Sequence, residues 1–298
     1  MSTLTPTATP RGATPGPAHP SKPAHRVTFP RVLHSEWIKF STLRSTVWTL
    51  GSTVVVMAGV SFLAVFFTAR DAFSSKTSPE EAAPLVALLH NPSIVVTGAD
   101  LALLAVAVLG VLVITGEYTT GMIRSTLTAV PRRLPALWAK ALVLAATAAV
   151  TAAGATALSW AVSLPTLSAH DAAIDLGDPQ TQRILIGGVL YLVTISLLAF
   201  AIGAILRVSA GALATVLGLL LVVENLFRAI PADFFRNVSP FLPATAGHQI
   251  TATQATIEQA RATSSAPVLD PWLGYGVMFL WVAVLLAVAA VLLRRRDA

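Results

Sequence analysis

Six apolar runs govern what this chain can become. Val47 to Ala69, Ala141 to Leu164, Ile184 to Leu206 and Trp272 to Leu293 contain no charged residue, and Ile94 to Gly116 contains only Asp100, near its start. A sixth run, Val208 to Val223, is shorter and lies between Arg207 and Glu224. At about 1.5 Å per helical residue, a run of ~23 residues extends about 34 Å, enough for a hydrocarbon core of roughly 30 Å. An Asp, Lys or Arg at a helix centre costs about 2.5–3.5 kcal/mol on insertion, against a few tenths recovered per Leu or Val, so charges confined to the ends are informative. Backbone in lipid must satisfy its own hydrogen bonds, and these runs lack the alternation of barrel strands, so helices are expected. Only 11% of the 298 residues are charged, where a soluble domain carries roughly 25%. The expected fold class is an all-α integral membrane protein with six transmembrane helices.

The connecting segments set the expected orientation. With the N-terminus inside, fourteen of the twenty Lys and Arg residues fall on the inner side, among them Lys39, Arg44, Arg124, Arg132, Arg133, Lys140, Arg207 and Arg294 to Arg296. The other six (Arg70, Lys76, Arg183, Arg228, Arg236 and Arg261) fall outside. Lys and Arg near span ends accumulate on the cytoplasmic side, which places both termini in the cytoplasm of a multi-pass protein of the cell membrane. The first run begins too late and is too long for a cleavable signal. Residues 1–28, rich in Pro, Thr and Ala, cannot bury enough apolar surface to fold and are expected to form a disordered cytoplasmic tail. The domain proper runs over residues 29–296. A net charge of +6 would suit nucleic acid, but the bases are dispersed among membrane flanks with no aromatic-basic ribbon, so no nucleic-acid partner is expected. There is no cysteine, which excludes disulfides and thiolate metal sites.

Two inner segments carry more pattern than connectors need. In Phe29 to Thr46, the residues Phe29, Val32, Leu33, Trp37, Phe40 and Leu43 fall within about 140° of a helical wheel, as an amphipathic helix lying in the headgroup layer requires. Glu36 also lies in that stripe. Lipid anchoring does not explain it, and either a pairing with a base such as Arg124 or a solvated, snorkelling carboxylate would. The second segment, Gly116 to Arg133, holds Thr119 as a candidate helix cap and Pro131 as a candidate stop. Glu117 and Arg124, seven apart, would share a face of one continuous helix. An ordinary basic loop is the plainer alternative.

Ser35-Glu36-Trp37-Ile38-Lys39 before the first span, with Gly116-Glu117-Tyr118 to Pro131-Arg132-Arg133 after the second, resembles the permease subunits of bacterial ABC transporters of the type-two exporter class. Six spans, inner termini and a long outer segment before the last span are similar to that family too, so the resemblance covers residues 30 to 296. It implies an ATP-binding subunit as a separate partner carrying ATP and Mg, with none bound by this chain, and a second permease subunit, identical or not, in the same bilayer. It also implies that the loop after span two forms a coupling helix docking on the ATPase. Carried over, Glu117, Tyr118, Gly121, Leu127 and Pro131 match that region, with Arg124 as a contact, and Glu36, Trp37 and Phe40 belong to the neighbouring interface helix. Met122 departs from the Thr common there.

Other chemistry is not signalled. None of the four lysines sits in a phosphate-cradling Gly-rich loop, and the six histidines show no metal-ligand spacing. The outer stretch Leu226 to Leu242 is aromatic, and it is expected as a re-entrant or interfacial hairpin in which Glu224, Phe227, Phe234 and Phe235 could form an outer gate. Residues 244–267, rich in Ala, Thr and Ser, are expected to be exposed. The third run has small residues at sixteen of its twenty-four positions from Ala141 to Leu164, which suits close helix packing in lipid. The expected function is the transmembrane subunit of an ATP-driven exporter, itself not an enzyme. An ion-coupled secondary transporter is the principal alternative, followed by a scaffold without transport activity and a membrane enzyme.

Overall fold

The computed structural model describes residues 28–129 and 133–295; for Arg124, Leu127 and Ala129 it describes the backbone only. The expected tail, apart from Thr28, and Pro131 therefore lie outside the described residues. Every regular element among the described residues is helical. Six helical runs are long and apolar enough to cross a membrane: Arg44–Ala72, Pro92–Thr119, Arg133–Ala169, Pro179–Leu206, Ser209–Ala229 and Pro271–Arg295.

Helix α1 (Phe29–Thr42) leads through Leu43 into α2 (Arg44–Ala72), the first long helix. A short α3 (Pro79–Leu89) follows, started by a Ser78/Glu81 capping box, and a 3-10 turn (Pro92–Val96) runs into α4 (Ala99–Thr119). Then come the eight-residue α5 (Met122–Ala129), the long α6 (Arg133–Ala169) and α7 (Pro179–Leu206). The fifth long run is α8 (Ser209–Leu217), a π-helical turn over Gly218–Val223, and α9 (Glu224–Ala229). Short helices α10 (Asp233–Val238), α11 (Pro243–His248) and α12 (Gln254–Thr263) precede the last long helix, α13 (Pro271–Arg295).

The centre of the bundle is the pair α4 and α7, the most buried of the long helices and the most extensively packed on one another. A Cβ on Gly110 would stand 2.2 Å from the Ser196 carbonyl oxygen, so only glycine lets these two backbones approach so closely. On one flank α2 packs on α6. Thr53, Met57, Ser61, Val65, Ala69 and Ala72 of α2 are buried at a repeat of three or four, the spacing of one helix face. Helix α6 answers with Leu144, Ala148, Ala152, Ala155, Ser159 and Ser163. Its small residues do lie at helix interfaces, with α2 and α7. Helices α2, α8–α9 and α13 bury the least, and their outward residues, such as Trp48, Val55, Leu221 and Leu280, are large and apolar. An apolar exterior over polar-poor helices is what a lipid solvent demands.

Two expectations need correction. The fifth run does not stop before Glu224; the helix continues through it to Ala229. A carboxylate normally ends an apolar run, but this one is satisfied from within the protein, as described below. Residues 244–267 are the expected exposed tract only from Gln254 on; before that the segment is packed in, with Ala246 and Ile250 buried. Helix α11 packs on α13, and Gly247 lies so close that a Cβ there would collide with the Met278 sulfur. Arg183 of α7 donates to the carbonyls of Ile250 (2.6 Å) and Ala252 (2.8 Å), tying the segment down. Small residues that suggest solvation by composition here serve close packing. From Gln254 onward the segment is largely exposed, apart from Ile257.

Candidate functional site

Charges gather where α1, the end of α4, α5 and the start of α6 meet. Helix α1 buries Val32, Glu36 and Phe40, one face at a repeat of four, and lies against α6, where Val32 meets Ala139. Glu36 is thereby drawn inside, 3% exposed, and its neutralisation has to come from side chains. Lys140 of α6 donates to Glu36 Oε2 at 2.5 Å and to Glu117 Oε1 at 2.9 Å. Lys39, one turn after Glu36, donates to Glu36 Oε1 at 2.9 Å and to Glu117 Oε1 at 3.1 Å. Its third hydrogen bond reaches Thr126 Oγ1 of α5, at 3.1 Å. Two carboxylates and two ammoniums thus form a closed, charge-balanced ring joining α1, α4 and α6, with α5 attached to it through Thr126. Glu36, Glu117 and Lys140 are buried; the Lys39 side chain keeps 28% of its surface. Burial pulls the Lys39 pKa down, but Glu36 and Glu117 outweigh it and hold the ammonium above its ordinary range.

The second segment is built differently from a continuous helix. Thr119 does not cap α5. It is the last residue of α4, and its hydroxyl donates back to the Thr115 carbonyl. The chain then turns through Gly121 at φ +72, a left-handed backbone that glycine adopts without strain, and α5 begins at Met122. That break removes Glu117 and Arg124 from a common helix face. The base that meets Glu36 and Glu117 is Lys140 together with Lys39; Arg124 and Leu127 lie on α5 with side chains outside the description. On α5, Ile123 and Thr126 face inward, while Met122, Ser125 and Thr128 are exposed.

The same end of the bundle collects further bases. The tight turn between α7 and α8 rests on Arg207 at φ 61, whose guanidinium carbon stands 5.2 Å from the centre of the Tyr118 ring, within cation–π range. Arg133 donates from Nη1 to the Leu293 carbonyl, joining the start of α6 to the end of α13. Trp37 of α1 is half exposed and Phe40 is buried.

At the opposite end Glu224 is buried, and its carboxylate faces α11. Oε1 accepts from the Ala244 amide at 2.7 Å; Oε2 accepts from the Thr245 amide at 2.7 Å and from the Thr245 hydroxyl at 2.8 Å. These amides are among the orphan donors of a helix N-terminus, where a negative charge is favoured. Phe227, Phe234 and Phe235 gather separately, with Phe227 and Phe235 edge-to-face at 4.9 Å and Phe234 and Phe235 at 5.4 Å. The residues grouped as an outer gate therefore divide into a cap for α11 and an aromatic cluster, in which Phe234 is exposed. Nearby, His248 Nε2 lies 3.2 Å from Asp100 Oδ1, joining the end of α11 to the start of α4.

Sequence reasoning missed Lys39 and Lys140, treating both as membrane-flanking bases. A signal was present: two carboxylates in otherwise apolar settings need cations, and the chain has only four lysines. Among the described residues, no three His, Asp or Glu side chains converge as a metal site would. Neither a known protein family nor a curated protein matches the chain.

Proposed function

We propose that this chain is the transmembrane permease subunit of an ATP-driven exporter of the ABC type, acting in the cytoplasmic membrane with a separate ATP-binding subunit and a second permease subunit. The observation that carries the reading is α5, a short helix set off by Gly121 between the second and third long helices and latched to α1, α4 and α6 through the four-charge ring. A force applied to α5 by a partner would pass through Thr126 and Lys39 into three helices at once. ATP-driven closure of the partner subunits would push on α5 and tilt the spans. Lys39, Arg133, Lys140 and Arg207 share this end of the bundle, which supports its assignment to the cytoplasmic side. The exposed rings of Phe29 and Trp37 support a place for α1 in the headgroup layer. The aromatic α9–α10 segment, in this orientation, lies at the outer end as an interfacial hairpin near the exit of the pathway.

Capture of an ATPase from the native host tests the reading. Ser125→Arg and Thr128→Arg alter exposed positions of α5 without touching the ring, and each is expected to lower the co-purified ATPase severalfold while the permease stays folded. Undiminished capture in the double variant would remove α5 as the docking element.

The rival reading, an ion-coupled secondary transporter, draws on the burial of ionisable groups within long helices. Transport that collapses in Glu224→Gln yet survives ATP depletion would select it.

A further inference from the structure

The fifth long run is the least buried of the six. Its first part, α8, packs on α4 and α7, with Ala212 and Val216 turned inward. The π-helical turn Gly218–Val223 then interrupts it, and beyond that turn Glu224 caps α11 at the outer end. Single π turns inside α-helices recur at functional sites. A lightly packed helix with an irregular turn in its middle bends there most easily, and the position of its inner half is set by the turn between α7 and α8.

That turn consists of Arg207 and Val208. At φ 61 an L side chain is strained and glycine is not, so an arginine there implies a use for its side chain. The use is neither an ion pair nor a hydrogen bond. Among the described residues the guanidinium makes none, and its Nε and Nη2 are buried without an acceptor. What it meets is the face of Tyr118, 5.2 Å from the ring centre. Beside it, Ser209 Oγ donates to Thr115 Oγ1 at 2.9 Å and lies 3.3 Å from Thr119 Oγ1. Thr115, Tyr118 and Thr119 all stand on the last turns of α4. Tyr118 directly follows Glu117, so neighbouring residues of one helical turn meet two different devices, the charged ring and the α7–α8 turn. A hydrogen-bonded guanidinium is fixed in direction, whereas a cation over a ring is attracted anywhere within about 6 Å of its centre. Such a contact holds two helices together while they shift.

We propose that Arg207 is a positioning residue which, with Ser209, makes α8 follow the end of α4 and bend at the π turn, while Glu224 holds the outer half. A push on α5 is thereby delivered to the fifth span as well as to the three helices of the ring. The source of that push rests on the function proposed above. The tie itself is a property of this chain alone.

Hydrogen exchange of the purified full-length chain, in detergent and without partner or nucleotide, tests the tie. A cation–π contact corresponds to about two- to thirtyfold in an opening equilibrium. Exchange in α8 is expected to rise by that factor in Tyr118→Leu, and in Arg207→Gly combined with Ser209→Ala, with α6 and α13 unchanged. Tyr118→Phe keeps the ring face and is expected to exchange as wild type does. Arg207→Gly relieves the strained backbone, so a looser α8 there reports the lost side chain and not a damaged turn. Transmission is read by opening the charged ring with Lys39→Met. Exchange should then rise in α5 and α8 together, but in α5 alone once Arg207→Gly and Ser209→Ala have detached the turn. Four results would each overturn the proposal: unchanged α8 exchange in the detached variants, equal loosening in Tyr118→Phe and Tyr118→Leu, no α8 response to Lys39→Met, or a response that survives detachment. ATPase capture plays no part in these readings, so they hold or fail apart from the proposed function.

Discussion

The two ends of this bundle bury carboxylates by opposite means. At one end Glu36 and Glu117 are neutralised by Lys39 and Lys140, side chains reaching in from separate helices. At the other, Glu224 is held by two backbone amides and a hydroxyl at the start of one short helix. Backbone amides of a folded helix stay in place, so the Glu224 arrangement is a fixed cap. Ion pairs between three helices can be exchanged or opened together, so such a ring is able to transmit movement among the elements it joins. The difference separates a fastening from a coupling, and it can be broken experimentally.

The largest effect is expected at Lys140. Lys140→Met leaves Glu36 and Glu117 short of a buried partner, and removing one member of such a set costs about 3–5 kcal/mol. Thermal unfolding in detergent would show this as a large drop, partly restored in Lys140→Met combined with Glu36→Gln. Glu224→Gln keeps shape and one acceptor, and is expected to cost about 1.5–3 kcal/mol, the range of a charge-assisted hydrogen bond. Hydrogen exchange should place that loss at α11 and its contact with α13, leaving α1 and α5 protected. Protection lost at both ends would erase the distinction between the two sites. Gly121→Val forces a β-branched residue into the left-handed region, at about 1–2 kcal/mol. Its effect should fall on α5 and on ATPase capture rather than on the melting of the spans.

The smallest effect is a titration. Lys39 is held above its ordinary pKa in the fold, so its contribution is complete below the unfolded value of about 10.4 and fades as pH rises through the folded value. Melting curves taken from about pH 8 to about pH 12 should show a decline that is smaller in Lys39→Met.

Much of the fold was legible because lipid permits few solutions: uncharged runs of sufficient length had to be helices, and all six are there. The end of the fifth was misplaced because Glu224 reads as a stop until its partners, twenty residues further along the chain, are seen. The first half of the tract 244–267 was misjudged because Ala, Thr and Gly suit solvent and close helix contacts equally well, while from Gln254 on it is exposed as expected. In the candidate site, Glu36 stood out as a charge in an apolar stripe, and of the two readings open for it, a paired or a solvated carboxylate, the structure has the paired one. Which base could not be read, since Lys39 is three residues away and Lys140 is 104 away, and only the packing of α1 on α6 brings them together. Gly121 mattered for a reason the sequence could not show, a left-handed joint that separates α5 from α4.

The chain has no cysteine, so single cysteines can report which side of the membrane each end occupies. Ser125→Cys on α5 and Ser265→Cys before α13 are both at exposed positions. In intact cells a membrane-impermeant maleimide is expected to label Ser265→Cys at once and Ser125→Cys only after permeabilisation. Labelling of Ser125→Cys from outside, with Ser265→Cys protected, would put α5 out of reach of any cytoplasmic ATPase and contradict the proposed role of this protein.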